Sequence, residues 1–336
     1  MFDWELDLFG RVRRTVEAAQ ASSDEAAALR DDVRRLILAE VLRAYVDLRG
    51  AQMQTACLQQ QLDNQTRTLG LVRNRESAGR TSAAERVRFE AQVSLVAARL
   101  PALKARERAA RNRLATLTGL RLDAPQVLAL DAPQPLVVPA RLLTDEPASL
   151  LGRRPDVRAA ERALAAATAR QGVAAAGRFP AVRLSALLGL SGAAGAWRSA
   201  DARSWGFAAD GTWAAFDAGA AGARSRAAGA DVQAAQARYG QAVATALEEA
   251  DTAVSDWVQS RQRSLQLDQA GAQADESARM SRIRYQEGAE SLLGVLDAER
   301  TALAVQEQRV SAQETLALAA ARSYVAMAGG LDPGAP

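Results

Sequence analysis

Leu293 and Asp297 stand four residues apart, so on a helix they stack on one face, an apolar side chain beside a carboxylate, just past a turn marked by Gly288. Such a pair is either an ordinary solvated acid next to a core leucine or the lining of a surface that uses charge. Reaction chemistry is poorly supplied elsewhere. There is no histidine and Cys57 is the only cysteine, which removes His/Cys metal sites, histidine-based triads and disulfide frameworks together. Cys57 reads as a small buried helix residue. Acidic residues are plentiful, but none falls on a loop pattern that would set up the facing carboxylates of a glycoside hydrolase. No catalytic, cofactor-binding or metal-binding residue is expected, and the chain does not read as an enzyme. Basic residues number 42 against 39 acidic, a net charge of +3 carried almost wholly by dispersed arginines, which gives no footprint for nucleic acid.

The elements that hold Leu293 and Asp297 are delimited by proline. None occurs before Pro101 or between Pro180 and Pro333, whereas Pro125, Pro133, Pro135, Pro139, Pro147 and Pro155 crowd one stretch. Two long regions can therefore be helical, and roughly 121–152 is a linker between them. Ile37, Val41, Ala44, Leu48, Ala51, Thr55, Leu58, Leu62, Gln65, Leu69 and Val72 alternate steps of four and three, a heptad seam broken only by Thr55 and Gln65. A second seam runs through Val93, Val96, Leu100, Leu103, Glu107, Ala110, Leu114 and Leu117. Between the two lies Gly79-Arg80-Thr81-Ser82, a glycine suited to end one helix and hydroxyls suited to cap the next. Residues 11–118 thus read as a long helical hairpin whose second arm is kinked at Pro101.

Residues 218–328 repeat this plan: a helical run, a turn at Gly288-Ala289-Glu290-Ser291, then a helix with Leu296, Leu303, Val310, Ala317 and Tyr324 at sevens. Trp4 stands as far before Gly79 as Trp213 stands before Gly288, the mark of an internal duplication. The match slips by two residues at Phe9 and Phe216. Each long arm would reach roughly 100 Å at about 1.5 Å per residue. With aromatics at only 4% of the chain, thin helical layers are expected rather than a thick globular core.

Three segments have period two instead: 2–9, 179–190 and 205–216, strands of the length that crosses a membrane. In the second, Val182, Leu184, Ala186, Leu188 and Leu190 alternate with Arg183, Ser185, Leu187 and Gly189. Trp4, Phe179, Trp205, Phe207, Trp213 and Phe216 belong to these segments, and every Trp but Trp257 and every Phe but Phe89 lies in them or in the Ser191–Ser204 connection. Alternation alone fits equally a small soluble sheet packed on helices. The small or acidic opposite face favours a watery lumen, with the aromatics toward lipid.

At Trp4-Glu5-Leu6-Asp7-Leu8-Phe9-Gly10-Arg11 the chain resembles the TolC-like outer-membrane factors of tripartite drug efflux pumps, in particular their NodT-like lipoprotein branch. Further matches are Leu150-Leu151-Gly152-Arg153-Arg154-Pro155-Asp156-Val157-Arg158-Ala159-Ala160-Glu161, Phe179-Pro180, Phe216-Asp217-Ala218-Gly219, Arg284-Tyr285-Gln286-Glu287-Gly288, Val295-Leu296-Asp297-Ala298-Glu299-Arg300 and Ala328-Gly329-Gly330, in order along nearly the whole chain.

The resemblance implies a mainly α fold with β: a homotrimer with a transmembrane β-barrel in the outer membrane and an α-barrel of long helical hairpins reaching into the periplasm, built from two tandem repeats. The repeats are a truncated first one over 1–120 and a second over 153–336, which adds a helix at 156–176. The implied function is a passive exit duct docking with a periplasmic adaptor (membrane fusion) protein and an inner-membrane pump, with outer-membrane lipid around the strands and no nucleic acid. Leu293 and Asp297 would then line the periplasmic gate, and Gly79, Thr81, Ser82, Gly288, Glu290 and Ser291 would form the adaptor-docking tips. In the first tip Ala84 replaces a usual larger apolar residue, and Arg86 and Arg88 flank Val87. Arg153, Arg154 and Asp156 read as a helix start that fixes the linker.

Four strands per subunit are implied where three are seen, and no secretory signal follows Met1, so the chain is expected to begin inside the family's second strand, without the signal and lipidated cysteine. The competing reading is a soluble coiled-coil scaffold, which accounts for the heptads but not for the alternating segments rich in Trp and Phe.

Overall fold

A computed structural model describes residues 2–139, 151–190 and 203–327. Residues 191–202 of the connection between the last two strands, 140–150 of the linker and the Ala328-Gly329-Gly330 motif lie outside them. The elements are β1 (Phe2–Leu6), α1 (Arg11–Ser77), α2 (Ala83–Ala97), α3 (Leu100–Thr118), α4 (Pro125–Leu128) running into a short 3-10 turn (Ala129–Asp131), α5 (Pro155–Ala176), β2 (Ala181–Leu190), β3 (Arg203–Thr212), α6 (Ala220–Gln286) and α7 (Leu292–Ala326). The fold is mainly helical with one small sheet.

α1 and α6 are each 67 residues long and start by the same device, an aspartate that accepts the orphan amides of a helix N-terminus. Asp7 accepts from Val12 N at 2.8 Å and Arg13 N at 3.0 Å; Asp217 accepts from Gly219 N at 3.0 Å and Ala221 N at 2.5 Å. Gly10 and Gly219 both take positive φ. Gly10 and Gly219 stand equally far before Gly79 and Gly288, so the repeats are in register at this turn; Asp7 stands three residues before its glycine and Asp217 two before its own, where Ala218 takes φ 52.

The return arms differ. α7 is continuous, whereas α2 stops at Ala97 and α3 begins at Leu100. Pro101 accounts for this: it has no N–H to donate, and its ring meets the carbonyl four residues earlier, that of Ala97.

The chain divides into two compact units, each drawing on both sequence repeats: 1–33 with 146–247, and 34–145 with 248–336. In the first, the sheet order is β1-β2-β3 and both pairings are antiparallel. Arg154, fully buried before the N-terminal turn of α5, grips Asp156 through two contacts (3.0 and 2.5 Å) and reaches the Ala246 carbonyl of α6 at 3.5 Å.

In the second unit the seams are the core. Ala44 and Leu48 pack with Ala110 and Leu114, and Leu58 with Val96 and Leu303. Leu69, Val72, Phe89, Tyr285, Leu292, Val295 and Leu296 close the hairpin ends. The first linker residues are fastened by Arg49, 1% exposed, whose Nη1 donates to Ala132 O at 2.7 Å, while Gln52 donates to Leu130 O at 2.9 Å. Two seam expectations and the reading of Cys57 are corrected. Ile37 and Tyr324 are exposed, because nothing among the described residues of the single chain covers those turns, and Cys57 is half-buried rather than buried.

The strands are also shorter than their alternation. Pro180 cannot donate to a ladder, so β2 starts at Ala181. β3 ends at Thr212, the partner of Ala181, and β1 ends at Leu6 because Asp7 turns back to cap α1. Phe179, Trp213 and Phe216 therefore flank the strands rather than lie in them.

Candidate functional site

Residues directly opposite in an antiparallel pair point to the same side, so the register assigns the faces. Phe2, Trp4 and Leu6 lie opposite Ala186, Leu184 and Val182, and Leu184, Ala186 and Leu188 lie opposite Ala209, Phe207 and Trp205. At these positions the face is apolar and open: Trp205 is 73% exposed and Phe207 79%. The other face carries Asp3, Glu5, Arg183, Ser185, Asp210 and Ser204, with Ala181, Leu187 and Ala208 as its apolar exceptions. There Glu5 binds Arg11 Nε at 2.7 Å and lies 3.9 Å from Arg183. Where the sheet meets the helices, Phe9 and Phe179 stack with centroids 4.6 Å apart, and the Trp213 indole donates to Arg178 O at 3.3 Å.

The two turns have one design. Gly79 and Gly288 both adopt left-handed φ, and each is followed by a bond back over the turn, Arg80 N to Arg75 O and Ala289 N to Arg284 O, both 2.8 Å. This is the glycine-terminated helix end, for which a Cβ is unfavourable. Ser82 then caps α2 in a reciprocal capping box with Glu85, and Thr81 also donates to that carboxylate. These donors hold the Glu85 carboxyl below its ordinary 4.5, Thr81 contributing most. Ser291 caps α7 by accepting from Gly294 N at 3.2 Å. Glu290 folds its carboxylate over Gly294, in space that a side chain there would need.

The turns sit together. Phe89 of α2 is fully buried among α1, Tyr285 of α6 and α7, and the Arg75 guanidinium lies 4.4 Å above the Tyr285 ring. Arg86 pairs with Glu76 at 2.8 Å and Glu90 at 2.7 Å, so its charge is spent within the first hairpin.

Leu293 and Asp297 share the outward face of α7, Leu293 at 63% exposed, while Leu292, Val295 and Leu296 of the same turns are buried. Leu293 is thus not a core residue of the single chain. Sequence reasoning missed what lies on the inner face. Glu299 is completely buried, accepting from Thr68 Oγ1 at 3.1 Å and lying 3.5 Å from Arg282 Nη1. Its second oxygen, and both side-chain polar atoms of Gln65, are buried without a partner. The signal available was Gln65 itself, a polar interruption of an apolar seam.

The chain matches the family described as outer membrane efflux protein over residues 1–120 and 147–329. It is 30% identical to nodulation protein T of Rhizobium leguminosarum bv. viciae over 333 residues, 97% of this chain and 68% of that protein. Its fold is similar to the solved outer-membrane channel OprN, with a TM-score of 0.91 and 39% identity over 98% of this chain and 74% of that one. It is also similar to the open state of the Neisseria gonorrhoeae MtrE outer membrane channel, with a TM-score of 0.84 and 30% identity over 98% and 74%. These likenesses span the sheet as well as the helices, which a coiled-coil scaffold would not require. The chain belongs to the outer membrane efflux protein family, whose members are efflux channels of the outer membrane that extend into the periplasm.

Proposed function

We propose that three copies of this chain enclose a water-filled exit duct, with the strands forming a closed barrel in the outer membrane and the hairpins forming the periplasmic wall. The observation that carries this reading is the sheet: among the described residues one face is predominantly apolar and uncovered, the other mainly polar or small, and the edges at β1 and β3 are open. In lipid an open edge is untenable, so such a sheet spans a membrane only by pairing with further strands until it closes. Phe9, Phe179, Trp213 and Phe216 flank the strands where interfacial aromatics belong.

The capped turns at Gly79-Arg80-Thr81-Ser82 and Gly288-Ala289-Glu290-Ser291 supply the surface for a periplasmic adaptor, which in turn joins an inner-membrane pump. Their side-by-side packing around Phe89 and Tyr285 supports this, since it offers two rigid tips as one surface.

Leu293 and Asp297 form the gate. Threefold symmetry turns them into a leucine ring and an aspartate ring, and three carboxylates about 6 Å apart repel by roughly 0.7 kcal/mol per pair in water, more in a narrow pore. The repulsion works against a closed ring, so the raised resting conductance expected of Asp297→Ala in planar bilayers, with normal folding and trimerisation, comes from trimming three side chains out of the constriction. Unaltered conductance rejects Asp297 as a gate residue, and a monomeric product in detergent rejects the duct.

A further inference from the structure

Between two apolar layers of the second unit lies a polar one. Toward the turns are Leu69, Val72, Leu292, Val295 and Leu296; away from them are Leu58, Val96 and Leu303. Glu299 and Thr68 lie between, with Gln65 one turn before Thr68 on α1. Glu299 occupies the seam position between Leu296 and Leu303, where an apolar residue packs best. Its carboxylate has lost its water and recovered little: one hydroxyl at 3.1 Å, one guanidinium at 3.5 Å, and nothing on Oε2. A buried carboxylate so poorly matched is easier to hold neutral than charged.

We propose that Glu299 is a proton-operated latch, which holds the first turns of α7 against α1 and α6 when its carboxyl is protonated and loosens them when it is ionised. Arg282 of α6 is the only charged group among the described residues that acts on it. α1 presents Thr68 and Gln65, neither of them ionisable, and Arg300, next along α7, turns away to Gln92 of α2 at 3.0 Å. Burial pushes the Glu299 carboxyl above its ordinary 4.5, and Arg282 only partly opposes this.

The sign follows. The packed arrangement binds the proton more tightly than a loosened one in which water reaches Oε2. Acid therefore tightens the wall, and rising pH releases it. Because α7 also carries Leu293 and Asp297, the inference deepens the gate reading and rests on it for its consequence, though not for its test.

The test is hydrogen–deuterium exchange of the full chain in detergent, following peptides from 292–303 relative to 110–115 of α3, which cancels the intrinsic pH dependence of exchange. In the parent the ratio is expected to rise by up to about tenfold per pH unit above 4.5, until the raised value is passed. Glu299→Gln should hold the ratio at its acid level across the range, and Arg282→Gln should extend the rise to higher pH. A flat ratio in the parent, or the same rise in Glu299→Gln, overturns the latch. A latch confirmed by exchange together with an Asp297→Ala channel of unaltered conductance would keep the latch and reject the gate.

Discussion

Gly50→Ala is expected to destabilise this protein, although glycine to alanine in a helix interior ordinarily stabilises by about 1 kcal/mol. Gly50 is buried in α1, and a Cβ there would fall inside the Glu314 side chain of α7, against its Oε1, Cδ and Cγ. Because Cγ is included, turning the carboxylate aside is not enough. Glu314 is 8% exposed and held by Gln54 at 2.8 Å and Arg106 at 3.2 Å. Forcing it out costs about 1–3 kcal/mol of overpacking and about 1.5–3 kcal/mol for the charge-assisted bond. Set against about 1 kcal/mol of helix propensity, the net loss is about 1.5–5 kcal/mol.

Gly70, exposed in the same helix with nothing near its Cβ direction, supplies the control, and Gly70→Ala should gain about 1 kcal/mol. The assay is thermal unfolding of both variants in one detergent at one scan rate. Glu314→Ala then closes a double-mutant cycle, since in that background Gly50→Ala should become favourable. A Gly50→Ala protein that melts at or above its parent would refute the argument, as would additivity in the cycle.

Phe89→Ala should cost about 3–5 kcal/mol as a cavity in the cluster that joins the two hairpin ends, seen as protease sensitivity at 78–82 and 287–291. Ser82→Ala should lose about 1 kcal/mol at the start of α2. Because the Glu85 carboxyl is held below 4.5, the capping box is whole above that pH and loses its carboxylate half as pH falls through the depressed value, so protection of the Ser82 amide, which donates to that carboxylate, should fail in acid. That is the opposite sign to Glu299, and exchange across pH should show both in one chain. Phe207→Arg should cost about 2–4 kcal/mol if the apolar face meets the bilayer midplane, read as reduced membrane insertion; normal insertion would reject that placement.

The helical hairpins were legible because their determinants are local: a 3–4 seam, a glycine that must take positive φ, a hydroxyl ready to cap. The strands were legible in kind but not in extent. Period two continues past Thr212 through Trp213 and Ala215, but a strand ends where its partner ends, and partner and register are set by residues far away in sequence. The two turns, and the sharing of one face by Leu293 and Asp297, followed from spacing; that this face points outward did not. The Glu299 layer did not, because a glutamate in a seam gives no sign of which helices close over it or that Thr68 will be its donor. Gly50 was equally silent, since its reason is a side chain 264 positions away, at Glu314.

The strand pairing carries a consequence for assembly. Since every second side chain changes character, sliding β2 against β1 by a single position would set Trp4 beside Arg183 or Ser185 and Glu5 beside Val182 or Leu184. No partial credit exists for a near miss. Sheets that join with the wrong offset are discarded by their own chemistry before any neighbouring copy has to recognise the error.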